Sequence, residues 1–407
     1  MNFPFFIARR YFRSKNKKNF INVISNISMV GVAVGTAALV IVLSVFNGLE
    51  DLIRSLHSTF DPEIKITNTL GKTFIMDDTL RSKIEGVQGI GVVTEVIEDI
   101  ALVKYRDSQM VARIKGVGDN FLDQTNLGQS IVAGDLKFKQ DGVDYAIIGR
   151  GIQYSLSITP SNDFYTLQVF YPKNVRVGTI DPSKLYNRKN IMPGGIFAIE
   201  KQYDENYIFV PLSFAQELFD FGNKRTSLEI MLKPGARLKQ VQNQLNSLLG
   251  EEFLVLNRDE QHSGLLKAIH IEKLFVFITF SFILAIASFN IFFSLTMLAI
   301  DKKKDISVLY SLGADDAIIK KIFLAEGAII AFSGAVFGLS IGLIVCWIQQ
   351  TYGIVSMGME TSVLDAYPVK MQFQDFLYTA ISIIIITFLA SYRPAMIATR
   401  TGIRTSP

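Results

Sequence analysis

The chain is poor in the residues from which catalytic and metal centres are usually built. It has one cysteine, Cys346, and three histidines, His57, His262 and His270, in 407 residues. A single thiol excludes a disulfide framework and a Cys/His zinc site. No histidine has a second one at i+4, and no Ser/His/Asp set stands out. Gly71, Lys72 and Thr73 look like the end of a phosphate loop, but Ile66 stands where that pattern needs glycine. We therefore expect no catalytic residue, no metal ligand and no cofactor bound by this chain.

Charge is missing over four long stretches. Met29–Phe46, Leu274–Ile300, Gly327–Ile348 and Phe376–Tyr392 each approach the ~20 residues a helix needs to cross hydrocarbon. The first is too long for a signal peptide and lacks a small-x-small cleavage site, so it reads as an uncleaved anchor. Basic residues crowd three segments: Arg9, Arg10, Arg13, Lys15, Lys17 and Lys18; Lys302, Lys303, Lys304, Lys320 and Lys321; and Arg393, Arg400 and Arg404. These segments sum to +10, whereas residues 48–270 hold 25 basic and 28 acidic residues. Lys and Arg near a span resist translocation, so both termini are expected in the cytoplasm and the large middle segment outside. The basic excess lies beside the membrane, which argues against nucleic acid as a partner.

These limits give an α-helical membrane protein with four transmembrane helices and a large extracytoplasmic α/β domain. Its parts are a cytoplasmic amphipathic segment (1–22), a first span (23–48), the exterior domain (49–270), a second span (271–300), a cytoplasmic loop (301–321), a third span (322–349), a short outer loop (350–373), a fourth span (374–393) and a cytoplasmic tail (394–407). The exterior domain is large enough to fold by packing alone. Glu63–Thr67, Asp77–Glu85 and Val92–Ile97 read as strand, helix and strand. Leu228, Ile230 and Leu232 alternate on a strand, Leu238, Val241, Leu245, Leu248 and Leu249 repeat at helical spacing, and Phe253–Leu256 is a strand again. Two such units form an α/β layer (60–115 and 206–262), interrupted by a mostly β lobe (116–205) with strands at Tyr145–Ile148 and Tyr165–Phe170 and turns at Gly149–Gly151 and Pro193–Gly195.

Inside the spans, Gly31 and Gly35, and Gly334, Gly338 and Gly342, recur every four residues. Such stripes let helices approach closely, within the chain or across a dimer seam. Phenylalanines are spread around the second span, and Val42, Phe46, Phe282 and Phe289 are candidate acyl-chain contacts. Glu326, one turn inside the third span, is expensive there unless it pairs with Lys320, Lys321 or another inner base. In the loop 301–321, Ile306, Leu309, Tyr310 and Leu312 form an apolar edge beside Lys304 and Asp305, and Gly313 ends the helix as a left-handed cap. A short helix between two spans can pass a push from a cytosolic partner into both.

Two stretches carry a family resemblance. One runs from Phe6-Ile7-Ala8-Arg9-Arg10-Tyr11 through Ile24–Gly35 to Leu43-Ser44-Val45-Phe46-Asn47-Gly48-Leu49-Glu50; the other is Lys304–Ala314 with Ile322–Gly327 after it, and Tyr367-Pro368-Val369 precedes the fourth span. They resemble permeases of the lipoprotein-releasing (Lol) type, within the MacB/FtsX family of ABC transporter membrane subunits. The resemblance implies a multi-pass protein of the bacterial inner membrane that binds no nucleotide, working with a dimeric cytosolic ABC ATPase that holds ATP and Mg, a second permease, identical or paralogous, a lipoprotein cargo and a periplasmic lipoprotein carrier. Lys304–Gly313 would be the coupling helix, and Arg9, Arg10 and Tyr11 would lie along the inner membrane surface. The α/β layer would be porter-like. The stretch Pro172–Pro193, with Val175, Val177, Ile180, Leu185 and Tyr186, would be a carrier-binding loop. The tail departs from the family's Tyr-Pro-Ala by inserting an arginine, as Tyr392-Arg393-Pro394-Ala395. The alternatives are a MacB-like efflux permease and a non-transporting FtsX-like relay to cell-wall hydrolases.

Overall fold

The computed structural model describes residues 3–13, 20–124, 126–160, 164–173, 185–356 and 366–403. Two compact units result, one built on residues 53–264 and the other on the segments that flank it. Among the described residues, four helices are long and apolar enough to cross a bilayer.

Every span is part of a longer helix than the hydropathy marks. The expected first span lies within a helix over Phe20–Phe60, and the second begins at Ser263 rather than 271. At 1.5 Å per residue the first helix is ~60 Å long, about twice the hydrocarbon thickness. Glu50, Asp51 and Arg54 end the apolar run, but nothing before Pro62 breaks helical backbone. Charge stops a span without stopping a helix. The third helix spans Asp316–Tyr352, and Gly353, at φ +58°, terminates it. The expected tail after 393 begins inside the same helix as the fourth span, which covers Phe373–Ile403 with Pro394 inside it. Proline there removes one backbone hydrogen bond, yet Ala395 and Ala398 are fully buried beside Ile306 and Phe323. Packing holds the last turns where local chemistry would end them.

Both glycine stripes are used within the chain. A Cβ on Gly35 would stand 2.7 Å from Leu284 of the second span, and one on Gly338 would stand 2.4 Å from the backbone oxygen of Ala33. Gly334 and Gly342 likewise face Met29 and Val40 of the first span, and Gly31 faces Ala287. Ser25 and Ser294 hydroxyls meet at 2.6 Å between the first and second spans. Gly338→Ala is therefore expected to cost about 1–3 kcal/mol through overpacking, read as a lowered melting temperature in detergent; an unchanged melting temperature would show that the seam opens freely.

The exterior unit is built from strands β1 (Ile64–Asn68), β2 (Phe74–Ile75), β3 (Ile90–Tyr105), β4 (Ser108–Val117), β5 (Ile131–Gly134), β6 (Lys139–Gln140), β7 (Val143–Gly149), β8 (Leu167–Pro172), β9 (Tyr186–Phe197), β10 (Tyr207–Pro211), β11 (Lys224–Arg225), β12 (Ser227–Leu232) and β13 (Phe253–Asn257). The main sheet runs β13-β1-β12-β3-β4-β10-β7-β9-β5. Its first four strands are antiparallel, and helices Asp78–Glu85 and Leu238–Leu249 connect β1 to β3 and β12 to β13. This is a split βαβ pair around one core of Ile64, Ile66, Ile84, Leu228, Ile230, Val241 and Leu245. Asp77 caps the first of these helices by accepting from the Leu80 N–H.

The lobe begins earlier and ends later than 116–205. The strand expected at Val92–Ile97 continues to Tyr105, so one strand serves both parts; β10, expected in the layer, pairs with β4 and β7 of the lobe. The expected turns also differ. Gly149 precedes a helix over Arg150–Leu156, and Pro193–Gly195 lie within β9, where its register against β7 shifts. Glycine is needed there because a Cβ on Gly195 would come within 2.6 Å of the Asp135 oxygen.

Charged side chains also tie the sheet together. Burial pushes Glu98 up, but Lys65, Lys115 and Arg113 more than offset it and hold the carboxyl below its ordinary value. A depressed folded pKa stabilises above the unfolded value and is lost as pH falls through the folded one. Amide hydrogen exchange of β3 and β4, corrected for its intrinsic pH dependence, is expected to accelerate only below about pH 4, near and under the unfolded carboxylate range; an acceleration already at neutral pH would contradict this. Where the chain enters and leaves the unit, Arg54 grips Asp259, His262 meets Asp61 at 2.6 Å, and Gln261 donates to the Pro62 oxygen.

Candidate coupling site and surrounding surfaces

The loop between the second and third spans contains a helix over Lys303–Ser311. Gly313, at φ +93°, ends it: its N–H is donated to the Tyr310 oxygen, and that of Ala314 to the Leu309 oxygen. That pair of bonds is a Schellman closure. Asp315 then caps the next helix by accepting from Ile318 N–H at 2.7 Å. Two helices with both junction ends satisfied make a stiff elbow.

The apolar edge expected on this helix divides in two. Ile306 is buried and Leu309 and Tyr310 are half-buried against Ile319, Ile322, Phe323, Ala395 and Ala398. Leu312 instead is 79% exposed, and Val308, which the sequence reading passed over, is 58% exposed. The two lie four apart and so share a face; that spacing was the available signal. Lys304 and Asp305 are exposed as well. The elbow thus presents Val308 and Leu312 outward while its other side is bolted to the third and fourth helices. Tyr310 donates to Asp316 Oδ1 at 2.7 Å, and burial together with this bond pushes its hydroxyl up.

The N-terminal helix, Phe3–Arg13, packs along the third span. Arg9 and Arg10 are exposed, while Tyr11 joins the same cluster as Ile306. Burial first, then Asp305 and Glu326, push the Tyr11 hydroxyl up to about 12. Lys302 stands 5.7 Å from the Tyr11 ring centre and pairs with Asp301 and Asp305. Glu326 is 3% exposed, and its Oε2 accepts no hydrogen bond among the described residues.

The rings of the second span are sorted rather than spread around. Phe275, Phe282, Phe289 and Phe293 are 60–68% exposed on one stripe, whereas Phe277 and Phe280 pack inward. Val42 and Phe46 are half-buried. The loop assigned to a carrier joins β8 to β9, whose pairing runs from Leu167–Ile191 to Pro172–Tyr186. Val175, Val177 and Ile180 lie outside the described residues; Leu185 and Tyr186 are exposed at the base, the Tyr186 ring 5.4 Å from Phe170. Lys72 of the discarded phosphate pattern pairs with Asp99. No group of three metal-ligating side chains occurs among the described residues.

A four-helix membrane unit with an elbow between two spans, joined to a split βαβ layer carrying a lobe, defines a class. Residues 25–248 match the MacB-like periplasmic core domain and residues 277–403 the FtsX-like permease C-terminal domain, and the chain belongs to this MacB/FtsX superfamily of membrane proteins. Its relatives include the lipoprotein-releasing system transmembrane protein LolE of Haemophilus influenzae, 24% identical over 97% of this chain and 96% of that one. The LolC proteins of Xylella fastidiosa (strain 9a5c) and Neisseria meningitidis serogroup B are 23% and 25% identical over the same shares of each chain. The periplasmic region of MacB from Actinobacillus actinomycetemcomitans superposes on 50% of this chain and 91% of its own at 14% identity and a TM-score of 0.36, which adds nothing to the sequence matches.

Proposed function

We propose that this chain is a permease subunit of an ATP-driven lipoprotein-releasing transporter, which lifts lipoproteins from the outer leaflet of the inner membrane and passes them to a periplasmic carrier. The observation that carries this is the likeness to LolC and LolE proteins over 97% of the chain. The chain itself does no chemistry in this reading; a dimeric cytosolic ATPase holds ATP and Mg and docks on Val308 and Leu312. Both termini face the cytosol, and a second permease, identical or paralogous, completes the membrane part. Moving acyl chains into water costs about 0.8 kcal/mol per methylene, so release needs both a power stroke and an apolar pocket waiting on the carrier.

The test is reconstitution of the chain, with the ATPase and second permease that co-purify with it, in vesicles loaded with a triacylated lipoprotein. ATP with a soluble carrier is expected to bring the lipoprotein into the supernatant. Release that needs no ATP, or co-purification of a cell-wall hydrolase in place of an ATPase, would overturn the reading.

A further inference from the structure

Three polar side chains from three spans meet: Asn47 of the first, Lys273 of the second and Asp375 at the start of the fourth. Lys273 Nζ donates to Asn47 Oδ1 at 2.6 Å and lies 3.1 Å from Asp375 Oδ1, and Asn47 Nδ2 donates to Asp375 Oδ2. Asn47 and Asp375 are 1% and 3% exposed. Asn47 also donates to the Lys370 oxygen at 3.2 Å, and the Lys370 N–H is donated to the Ser44 oxygen at 2.9 Å. The ring is therefore pinned on every side. An ammonium has three donors and no acceptor. Two of those on Lys273 are taken; the third has no partner among the described residues, and the side chain keeps 21% exposure on the wall of a cavity of about 480 Å³.

That cavity is graded along the spans. His270, Lys273, Gln374 and Asp375 line one end; Leu43, Phe277 and Ile381 line the other. Phe277 lies four residues and Ile381 six residues further into their helices than Lys273 and Asp375, ~6 and ~9 Å at 1.5 Å per residue. A charged mouth over an aromatic and aliphatic wall has the polarity of a single amphiphile standing in a leaflet. His270 is held near Glu50 at 3.7 Å, so the cation at the mouth with a spare donor is Lys273.

We propose that this cavity binds one glycerophospholipid of the leaflet on the exterior-domain side. Its phosphate takes the third Lys273 N–H, and one acyl chain lies along Phe277 and Ile381. The occupant is a membrane lipid, and the site requires nothing of the cargo.

The experiment uses the full chain in nanodiscs of phosphatidylethanolamine and phosphatidylglycerol doped with a phospholipid carrying a diazirine on one acyl chain. After irradiation, labelled residues are mapped by mass spectrometry. Labelling at Phe277 is expected to exceed that at the lipid-facing Phe289 several-fold. Ile381→Trp, which fills the cavity without touching the polar ring, is expected to abolish the excess, as is Lys273→Gln. Val336→Phe, in the separate apolar cavity of about 340 Å³ between the third and fourth spans, is expected to leave it unchanged. Equal labelling at Phe277 and Phe289 in the native protein, or an excess that survives Ile381→Trp, would overturn the proposal.

Discussion

Glu229→Leu is expected to loosen the exterior sheet by about 3–5 kcal/mol, the usual cost of stranding one member of a buried ion pair. Lys115 and Glu229 side chains are 3% and 2% exposed, with Lys115 Nζ 2.8 Å from Oε1 and 3.1 Å from Oε2. The ammonium stands 5.5 and 5.8 Å from the Phe121 and Phe209 ring centres. Burial pulls the Lys115 pKa down, but Glu229 and Glu98 outweigh it and raise it, so the amine stays charged. Without Glu229 that charge keeps Glu98 as a partial partner, but the hydrogen bond across β3 is gone. Hydrogen exchange of β3, β4 and β12 amides in the full chain should accelerate by about two to three and a half powers of ten, at ~1.4 kcal/mol per tenfold. The double variant Lys115→Met with Glu229→Leu should recover most of the protection, because an apolar pair of similar volume is often neutral or better. Equal losses in the single and double variants would show that the charges themselves matter little.

Val308→Asp with Leu312→Asp is expected to abolish association with the cytosolic ATPase while the membrane unit stays folded. Burying an aliphatic side chain of this size contributes about 1.5–3 kcal/mol. Losing two, and placing carboxylates against the partner, weakens binding by about a hundredfold or more. Leu309→Asp would give a different result, since Leu309 packs against the cluster of Ile306 and Phe323. It should lower the melting temperature of the chain even without the partner. Titration of the ATPase onto the solubilised permease separates the two: an unchanged Kd for the Val308/Leu312 variant removes the docking role.

The contrast between Leu309 and Leu312 shows how far periodicity reaches. Both belong to the apolar edge read from the sequence, and only the neighbouring helices decide which one points away from the core. Val308 was passed over because a helix with apolar residues on two sides has no single face until its partners are placed. The same holds for the phenylalanines of the second span, where composition announces contact with lipid but not which rings make it. For Pro394 the local rule loses outright, because buried Ala395 and Ala398 keep the helix going.

Hydropathy and flanking charge alone determined that this is a four-span protein with one large domain between the first two spans, because a charge in hydrocarbon is costly enough to be rare over a whole span. The cap residue Gly313 was legible for a similar reason: its chemistry acts within a few residues. Tertiary structure alone decided that β3 serves both the layer and the lobe, that Lys115 and Glu229 find each other 114 positions apart, and that Asn47, Lys273 and Asp375 close a ring. Those pairings join residues distant in the chain, and nothing in the local sequence around either partner records the other.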